Sequence, residues 1–134
     1  MQRPPIAALV ERSLRTGAYA MVAAAGIASI LWTPNTIAAV LGYSTAAVWG
    51  ALLISGGIAC VYASMTERYL VEYPSILIVI AGLVIYLVAL WAITFDGEIT
   101  RLTQTAVITA YCLHLLARHI QLRRLAGVHL PESG

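Results

Sequence analysis

From Thr16 to Thr66 the chain runs fifty-one residues without an Asp, Glu, Lys, Arg or His. A water-soluble domain of this size does not tolerate such a stretch, because its surface needs charged and polar side chains. A second uncharged run covers Tyr73 to Phe95, and a third covers Leu102 to Leu113. We therefore expect the chain to lie in a lipid bilayer.

With 134 residues, of which 60% are hydrophobic and 10% charged, there is room for one membrane domain and no separate soluble one. The net charge of +2 is carried by arginines at the ends of the apolar runs, where arginine meets lipid headgroups. A nucleic-acid surface would interleave basic and aromatic residues, so we expect no nucleic-acid partner. We assign residues 1–126 to a single transmembrane domain and residues 127–134 to a short polar cytosolic tail.

The apolar runs divide into four predicted spans. One helix needs about 20 residues to cross about 30 Å of hydrocarbon, so the first run is long enough for two crossings and a turn. Thr33-Pro34-Asn35 indicates a helix start and Gly42 a left-handed stop, which predicts a short interfacial helix from Pro34 to Leu41. The predicted fold is all-α, with transmembrane helices at about 14–32, 45–64, 74–95 and 100–117. The first continues back to Pro5, and the fourth continues through Arg124 as a cytosolic helix.

Three charged residues, Glu67, Arg68 and Glu72, fall between the second and third spans. Since proline is tolerated in the first turn of a helix, we expect Pro74 to be the first residue of the third span and residues 65–73 to form a loop. All carboxylates would then lie outside the membrane. Their absence from the spans removes the usual carrier of proton-coupled transport.

The arginines predict the orientation, because cytoplasmic loops retain positive charge during insertion. With both termini in the cytosol, seven arginines lie inside and only Arg101 lies outside. Besides Arg3, the inner ones are the expected topology and headgroup contacts Arg12, Arg15, Arg68, Arg118, Arg123 and Arg124. We expect a multi-pass protein of the cytoplasmic membrane of a bacterium.

Small residues at regular helical spacing form three ridges, which let helix backbones approach closely in lipid. The ridges are Ala20, Ala24 and Ala28 on the first span, Gly56, Cys60 and Ser64 on the second, and Ser75, Gly82 and Ala89 on the third. Packing within one subunit is one interpretation. Contact between subunits of a homo-oligomer is the other, and the two are compatible.

The fourth span is the polar one, and unsatisfied polar groups in hydrocarbon are costly. It contains Gln104, Thr105, Thr109, Tyr111 and His114. These residues either make interhelical hydrogen bonds or line an aqueous path in an oligomer.

No catalytic, cofactor or metal site is predicted, and we expect the protein not to be an enzyme. The sequence has no HExxH motif, phosphate loop or paired acid site. Cys60 and Cys112 both fall inside spans and are interpreted as small packing residues. His114 and His119 are five residues apart on one helix, so their side chains point in different directions and do not form a bis-histidine site.

Several short segments punctuate the spans in a characteristic order: Thr33-Pro34, Leu41-Gly42, Trp49-Gly50, Gly56-Gly57, Arg68-Tyr69, Tyr73-Pro74, and Arg118 with Arg123-Arg124. This order resembles small four-span membrane proteins encoded by phages of actinobacteria, some of which are labelled holins. The resemblance implies a protein that accumulates in the cytoplasmic membrane, self-associates and permeabilises it so that a muralytic enzyme can act. It carries over no catalytic residues, because holins have none.

Three functions are compatible with these features. The first is holin-like membrane permeabilisation in phage lysis. The second is a non-catalytic membrane subunit or scaffold that binds a protein partner at its basic cytosolic tail. The third is a small transporter or channel subunit, with Gln104, Thr109 and Tyr111 along the path.

Overall fold

The computed structural model describes residues 5–33 and 35–128, which confirm the predicted all-α class. In chain order they form α1 (Ile6–Leu31), α2 (Asn35–Thr66), α3 (Tyr69–Phe95), a 3-10 turn (Ile99–Arg101) and α4 (Leu102–Val128). Three sequence predictions concern positions outside the described residues: the inner arginine at position 3, the helix start at Pro34, and the tail from residue 129 onward.

Consecutive helices pack against one another in chain order. Glycines bring α1, α2 and α3 close together: a Cβ on Gly57 would lie 2.8 Å from the backbone nitrogen of Ala23, and one on Gly56 would lie 2.8 Å from Cγ2 of Val79. Such approaches permit extensive van der Waals contact, which drives helix association in lipid. The interior is filled by aliphatic side chains, among them Leu53, Ile76, Val79, Leu90, Leu115 and Leu122.

Gly42 interrupts α2 with φ 76° and ψ 157°. The sequence predicted a helix stop at this residue, and the backbone departs from helical geometry there. This combination of angles is open to glycine and strained for residues with a Cβ. That residues 35–41 lie along a membrane surface stays a prediction.

The predicted loop at residues 65–73, with Pro74 as the first residue of the next helix, is wrong. α3 begins at Tyr69, so Pro74 is its sixth residue and not its first. The connection from α2 is reduced to Glu67 and Arg68, and Glu67 has a positive φ of 55°. Glu72, expected in a loop, is therefore a helical residue.

Three helical segments are long and apolar enough to cross a membrane: Ile6–Leu31, Ala38–Thr66 and Tyr69–Phe95. In each of them, less than half of the most apolar stretch is buried inside the bundle. So much exposed apolar surface indicates a membrane protein. α4 does not belong to this group, so a fourth crossing, and cytosolic placement of both termini, stay predictions.

Candidate functional site

Glu72 is buried at the fourth position of α3, and its side chain is 1% exposed. A carboxylate is buried to this extent only when positive charges and hydrogen-bond donors surround it. The groups that surround Glu72 are therefore the first candidates for a functional site.

Arg118 of α4 makes a two-pronged contact with Glu72. Its Nε lies 3.3 Å from Oε1, and its Nη2 lies 3.3 Å from Oε2. The remaining nitrogen, Nη1, donates to Oε1 of Gln121 at 3.0 Å. Because a bidentate pair constrains direction as well as distance, this contact fixes how α4 is rotated against α3.

Arg15 approaches the same carboxylate from α1. Its Nε lies 3.7 Å from Oε1 of Glu72 and 3.4 Å from Oγ of Ser64, near the end of α2. The Ser64 hydroxyl also lies 2.8 Å from Oγ1 of Thr16. On its outer side, Nη1 of Arg15 lies 3.7 Å from a carboxylate oxygen of Glu11, which is 73% exposed. Arg15 thus links α1 to both α2 and α3.

Tyr19, one turn further along α1, donates its hydroxyl to Oε1 of Glu72 at 2.9 Å. Its side chain is 2% exposed. A buried tyrosine hydroxyl needs such a partner, and a charged acceptor makes the stronger kind of hydrogen bond. The phenol therefore satisfies both its own hydroxyl and part of the carboxylate.

Arg15, Tyr19, Ser64, Glu72 and Arg118 together form what we call the Glu72 cluster, which draws on all four helices. Its two guanidiniums and one carboxylate leave a formal excess of one positive charge. The cluster can pair charges and form hydrogen bonds among the four helices at one level of the bundle.

A groove of about 470 Å³ lies between α1 and α4 beside the Glu72 cluster. Arg15 and Arg118 contribute to its polar end, together with Glu11 and Gln121. The rest of its wall is mostly apolar and aromatic, formed by Leu14, Ala18, Tyr19, Tyr111, His114, Leu115 and Ala117. The groove therefore has cationic groups next to a mostly apolar wall.

Within residues 5–33 and 35–128, no group of three or more His, Cys, Asp or Glu side chains could hold a metal ion. Cys60 and Cys112 are free and buried. Tyr73 stacks on His119 at 4.2 Å between ring centroids, and Nδ1 of His119 lies 3.2 Å from the Tyr73 carbonyl oxygen. His119 thus takes part in the contact between α3 and α4.

The three predicted ridges have different surroundings. The residues of the second and third ridges are buried between helices: Gly56, Cys60, Ser64, Ser75, Gly82 and Ala89. Those of the first ridge, Ala20, Ala24 and Ala28, are exposed. The buried face of α1 consists instead of Tyr19, Val22, Ala23, Gly26 and Ser29. The alanine ridge therefore does not pack the helices of this subunit, and contact with another subunit stays a prediction.

Several polar residues of α4 make hydrogen bonds within the chain. Gln104 donates through Nε2 to the hydroxyl of Tyr86 on α3 at 2.6 Å, and the hydroxyls of Thr94 and Thr105 lie 3.3 Å apart. Thr109 donates back to the carbonyl of Thr105 at 2.7 Å.

The two remaining polar positions of α4 differ from these. The Tyr111 hydroxyl is buried without a partner among the described residues, and His114 is exposed. Interhelical bonding thus accounts for Gln104 and Thr105 but not for Tyr111 and His114.

The predicted headgroup arginines fall into three groups. Arg15 and Arg118 are bound up in the Glu72 cluster, while Arg12 pairs at 2.9 Å with the exposed Glu67 and also donates to the Met65 carbonyl. The others, Arg68, Arg123 and Arg124, are exposed. Arg12, Arg15, Arg68 and Arg118 lie at one end of the bundle, which we call the arginine-rich end.

Sequence reasoning missed Glu72 and Tyr19 as partners. The sequence marks Tyr19 only as an aromatic residue near the start of an apolar run, and it predicts a loop at Glu72. One partial signal was present: proline is tolerated in the first turn, so a helix that starts shortly before Pro74 and includes Glu72 was compatible with the sequence, although Pro74 lies beyond the first turn of α3.

Comparison of the chain with models of protein families, with curated proteins and with solved structures yields no match. The resemblance in punctuation to phage membrane proteins stays a hypothesis.

Proposed function

We propose that the chain is a self-associating membrane protein of the holin kind, which permeabilises a bacterial cytoplasmic membrane without catalysis. One observation carries the proposal: Ala20, Ala24 and Ala28 form a small-residue face on α1 that the rest of the bundle leaves exposed. In lipid, small residues spaced by four let a second helix approach closely enough for dense van der Waals packing.

The surroundings of this face support the same proposal. Met21, Ile27 and Leu31, with side chains 70%, 47% and 62% exposed, stand beside the alanines. Large side chains next to small ones give this helix surface projections and hollows, and the projections of one copy can pack into the hollows of another. Four crossings with both termini in the cytosol complete the proposal. α4 is then the fourth crossing, and the arginine-rich end faces the cytosol of a phage-infected bacterium.

Leucine at Ala24 tests self-association, because it lengthens the side chain at the middle of the face. We expect Ala24→Leu to abolish crosslinked oligomers and the timed loss of membrane potential after induction. Ala51→Leu is the matched control, since Ala51 is also exposed on an apolar helix but lies outside the face. Undiminished membrane potential with abundant wild-type protein would contradict the proposal.

Cysteine labelling tests the orientation. The native thiols are buried, so Asp96→Cys and Arg124→Cys can be labelled separately with a membrane-impermeant maleimide. We expect Asp96→Cys to react in intact spheroplasts and Arg124→Cys to react only after lysis. Reaction of both from the same side would contradict cytosolic placement of both ends.

A second candidate is a membrane subunit that binds a protein partner, favoured by the C-terminal part of α4. Arg118 is fixed by Glu72, and the helix continues to Val128 with Arg123 and Arg124 exposed. A rigid basic helix of this kind suits an acidic partner. Replacing Arg123 and Arg124 by Gln should then abolish co-purification of the partner, while the holin proposal expects permeabilisation to survive. A solute path has less support, since Gln104 and Thr105 are engaged within the chain.

A further inference from the structure

We infer that the groove between α1 and α4 binds one phospholipid molecule, with its phosphate at Arg15, beside Arg118, and an acyl chain along the apolar wall. This inference is independent of self-association, because it concerns each subunit separately. The shape and the charge of the groove both match such a ligand.

The groove is charged at one end and mostly apolar along the rest of its length, where His114 and Tyr111 are the exceptions. Glu11, Arg15, Arg118 and Gln121 lie at the polar end, while Ala18 and Leu115 lie deeper along the helices. Along α4 the lining extends from Gln121 to Tyr111, which corresponds to about 15 Å at the helical rise. A phospholipid has the same division, with a charged phosphate next to hydrocarbon.

The charge of the polar end complements one phosphodiester. Two guanidiniums share the single buried carboxylate of Glu72, which leaves one positive charge in excess. Glu11 also faces Arg15, but it is 73% exposed, so water screens its charge. Nη2 of Arg15 has no hydrogen-bond partner among the described residues. A phosphate oxygen would engage this donor, since arginine binds phosphate with directed hydrogen bonds.

A helix with its side chains is about 10 Å across, so a helix of a second copy would be a bulky occupant for a groove between two helices. An acyl chain is much thinner than a helix, so it can enter between α1 and α4 without separating them.

Native mass spectrometry of the purified full chain tests the inference. Dioleoylphosphatidylglycerol is titrated against dioleoylglycerol, which has the same chains without a phosphate, and inorganic phosphate is added as a competitor. We expect one phosphatidylglycerol per subunit, weaker binding of dioleoylglycerol, and no displacement by phosphate. Equal binding of the two lipids, displacement by phosphate alone, or a dimer that excludes the lipid would overturn the inference.

Two variants separate the phosphate contact from the groove. Arg15→Gln should bind phosphatidylglycerol about tenfold more weakly, the loss expected for one charged hydrogen bond. Arg12→Gln is the control, since Arg12 lies on the same helix but pairs with Glu67. Ala18→Phe fills the groove and leaves the Glu72 cluster intact, so it should also weaken binding, even if Arg15→Gln fails to fold. Wild-type affinity in Ala18→Phe, or equal losses in Arg12→Gln and Arg15→Gln, would overturn the inference.

Discussion

The Glu72 carboxylate and the Arg118 guanidinium meet through two contacts of 3.3 Å each, although they are 46 residues apart in the sequence. Their side chains are 1% and 12% exposed, so little water screens the pair. Arg15 and Tyr19 reach the same carboxylate from α1. The contact between Glu72 and Arg118 is therefore the centre of the only set of polar side chains, within residues 5–33 and 35–128, in which we find all four helices joined.

Removing the charge of Glu72 should destabilise the bundle. Glu72→Gln leaves Arg15 and Arg118 without their buried counter-ion, and breaking a buried pair in this way costs about 3 kcal/mol. We expect a clear drop in the thermal midpoint in detergent. Glu67→Gln is the control, because that carboxylate is 60% exposed in its pair with Arg12 and should change stability by less than about 1 kcal/mol. Equal losses in both variants would show that burial does not set the cost.

The Tyr19 hydroxyl should contribute separately. Tyr19→Phe removes the hydrogen bond of 2.9 Å to Glu72 and preserves the ring in the core. Hydrogen bonds to charged groups contribute about 2 kcal/mol, so the free energy of unfolding should fall by about that amount. Tyr62→Phe should have almost no effect, since Tyr62 is 49% exposed. Denaturant titration in mixed micelles, followed by circular dichroism, compares the two; a Tyr19→Phe variant as stable as wild type would argue against the bond.

The positions of the helices could be predicted because the signals are local. The uncharged runs mark the apolar helices. The glycine at position 42 marks a helix stop, because the backbone angles found there are open to glycine and strained for other residues. The boundary at Pro74 could not be fixed in the same way. A proline in the first turn and a proline just beyond it are only a few positions apart, so the sequence does not tell them apart. The additional turn of α3 is held by contacts of Glu72 with other helices, which are not local in sequence.

The orientation of each helix about its axis could not be predicted from the sequence. In lipid both the buried and the exposed faces are apolar, so no alternation of polar and apolar residues reveals which side faces the core. The alanine ridge of α1 illustrates this, because Ala24 is exposed while Ala23 and Gly26 are buried. The partners of Glu72 were hidden for the same reason.

Adding one methyl group should have opposite effects at two glycines. A Cβ on Gly57 would lie 2.8 Å from the backbone nitrogen and 3.0 Å from the Cα of Ala23, and backbone atoms cannot move aside easily. Gly57→Ala should therefore lose about 1–3 kcal/mol of stability. A Cβ on Gly17 meets nothing within 4 Å, so Gly17→Ala should gain up to about 1 kcal/mol through helix propensity. Thermal midpoints measured side by side check both signs; stabilisation by Gly57→Ala would mean that α1 and α2 are not so close.

Substitutions of Gly42 should separate two kinds of backbone strain. A Cβ at Gly42 meets nothing within 4 Å, so only its backbone angles, φ 76° and ψ 157°, oppose a side chain. Asparagine tolerates the left-handed helical region, but this ψ lies far outside it, in a region that is essentially restricted to glycine. We therefore expect Gly42→Ala and Gly42→Asn to be destabilised alike, by about 1–3 kcal/mol. Differential scanning calorimetry in detergent compares the two, and an asparagine variant as stable as wild type would mean that residue 42 adopts the left-handed helical conformation instead.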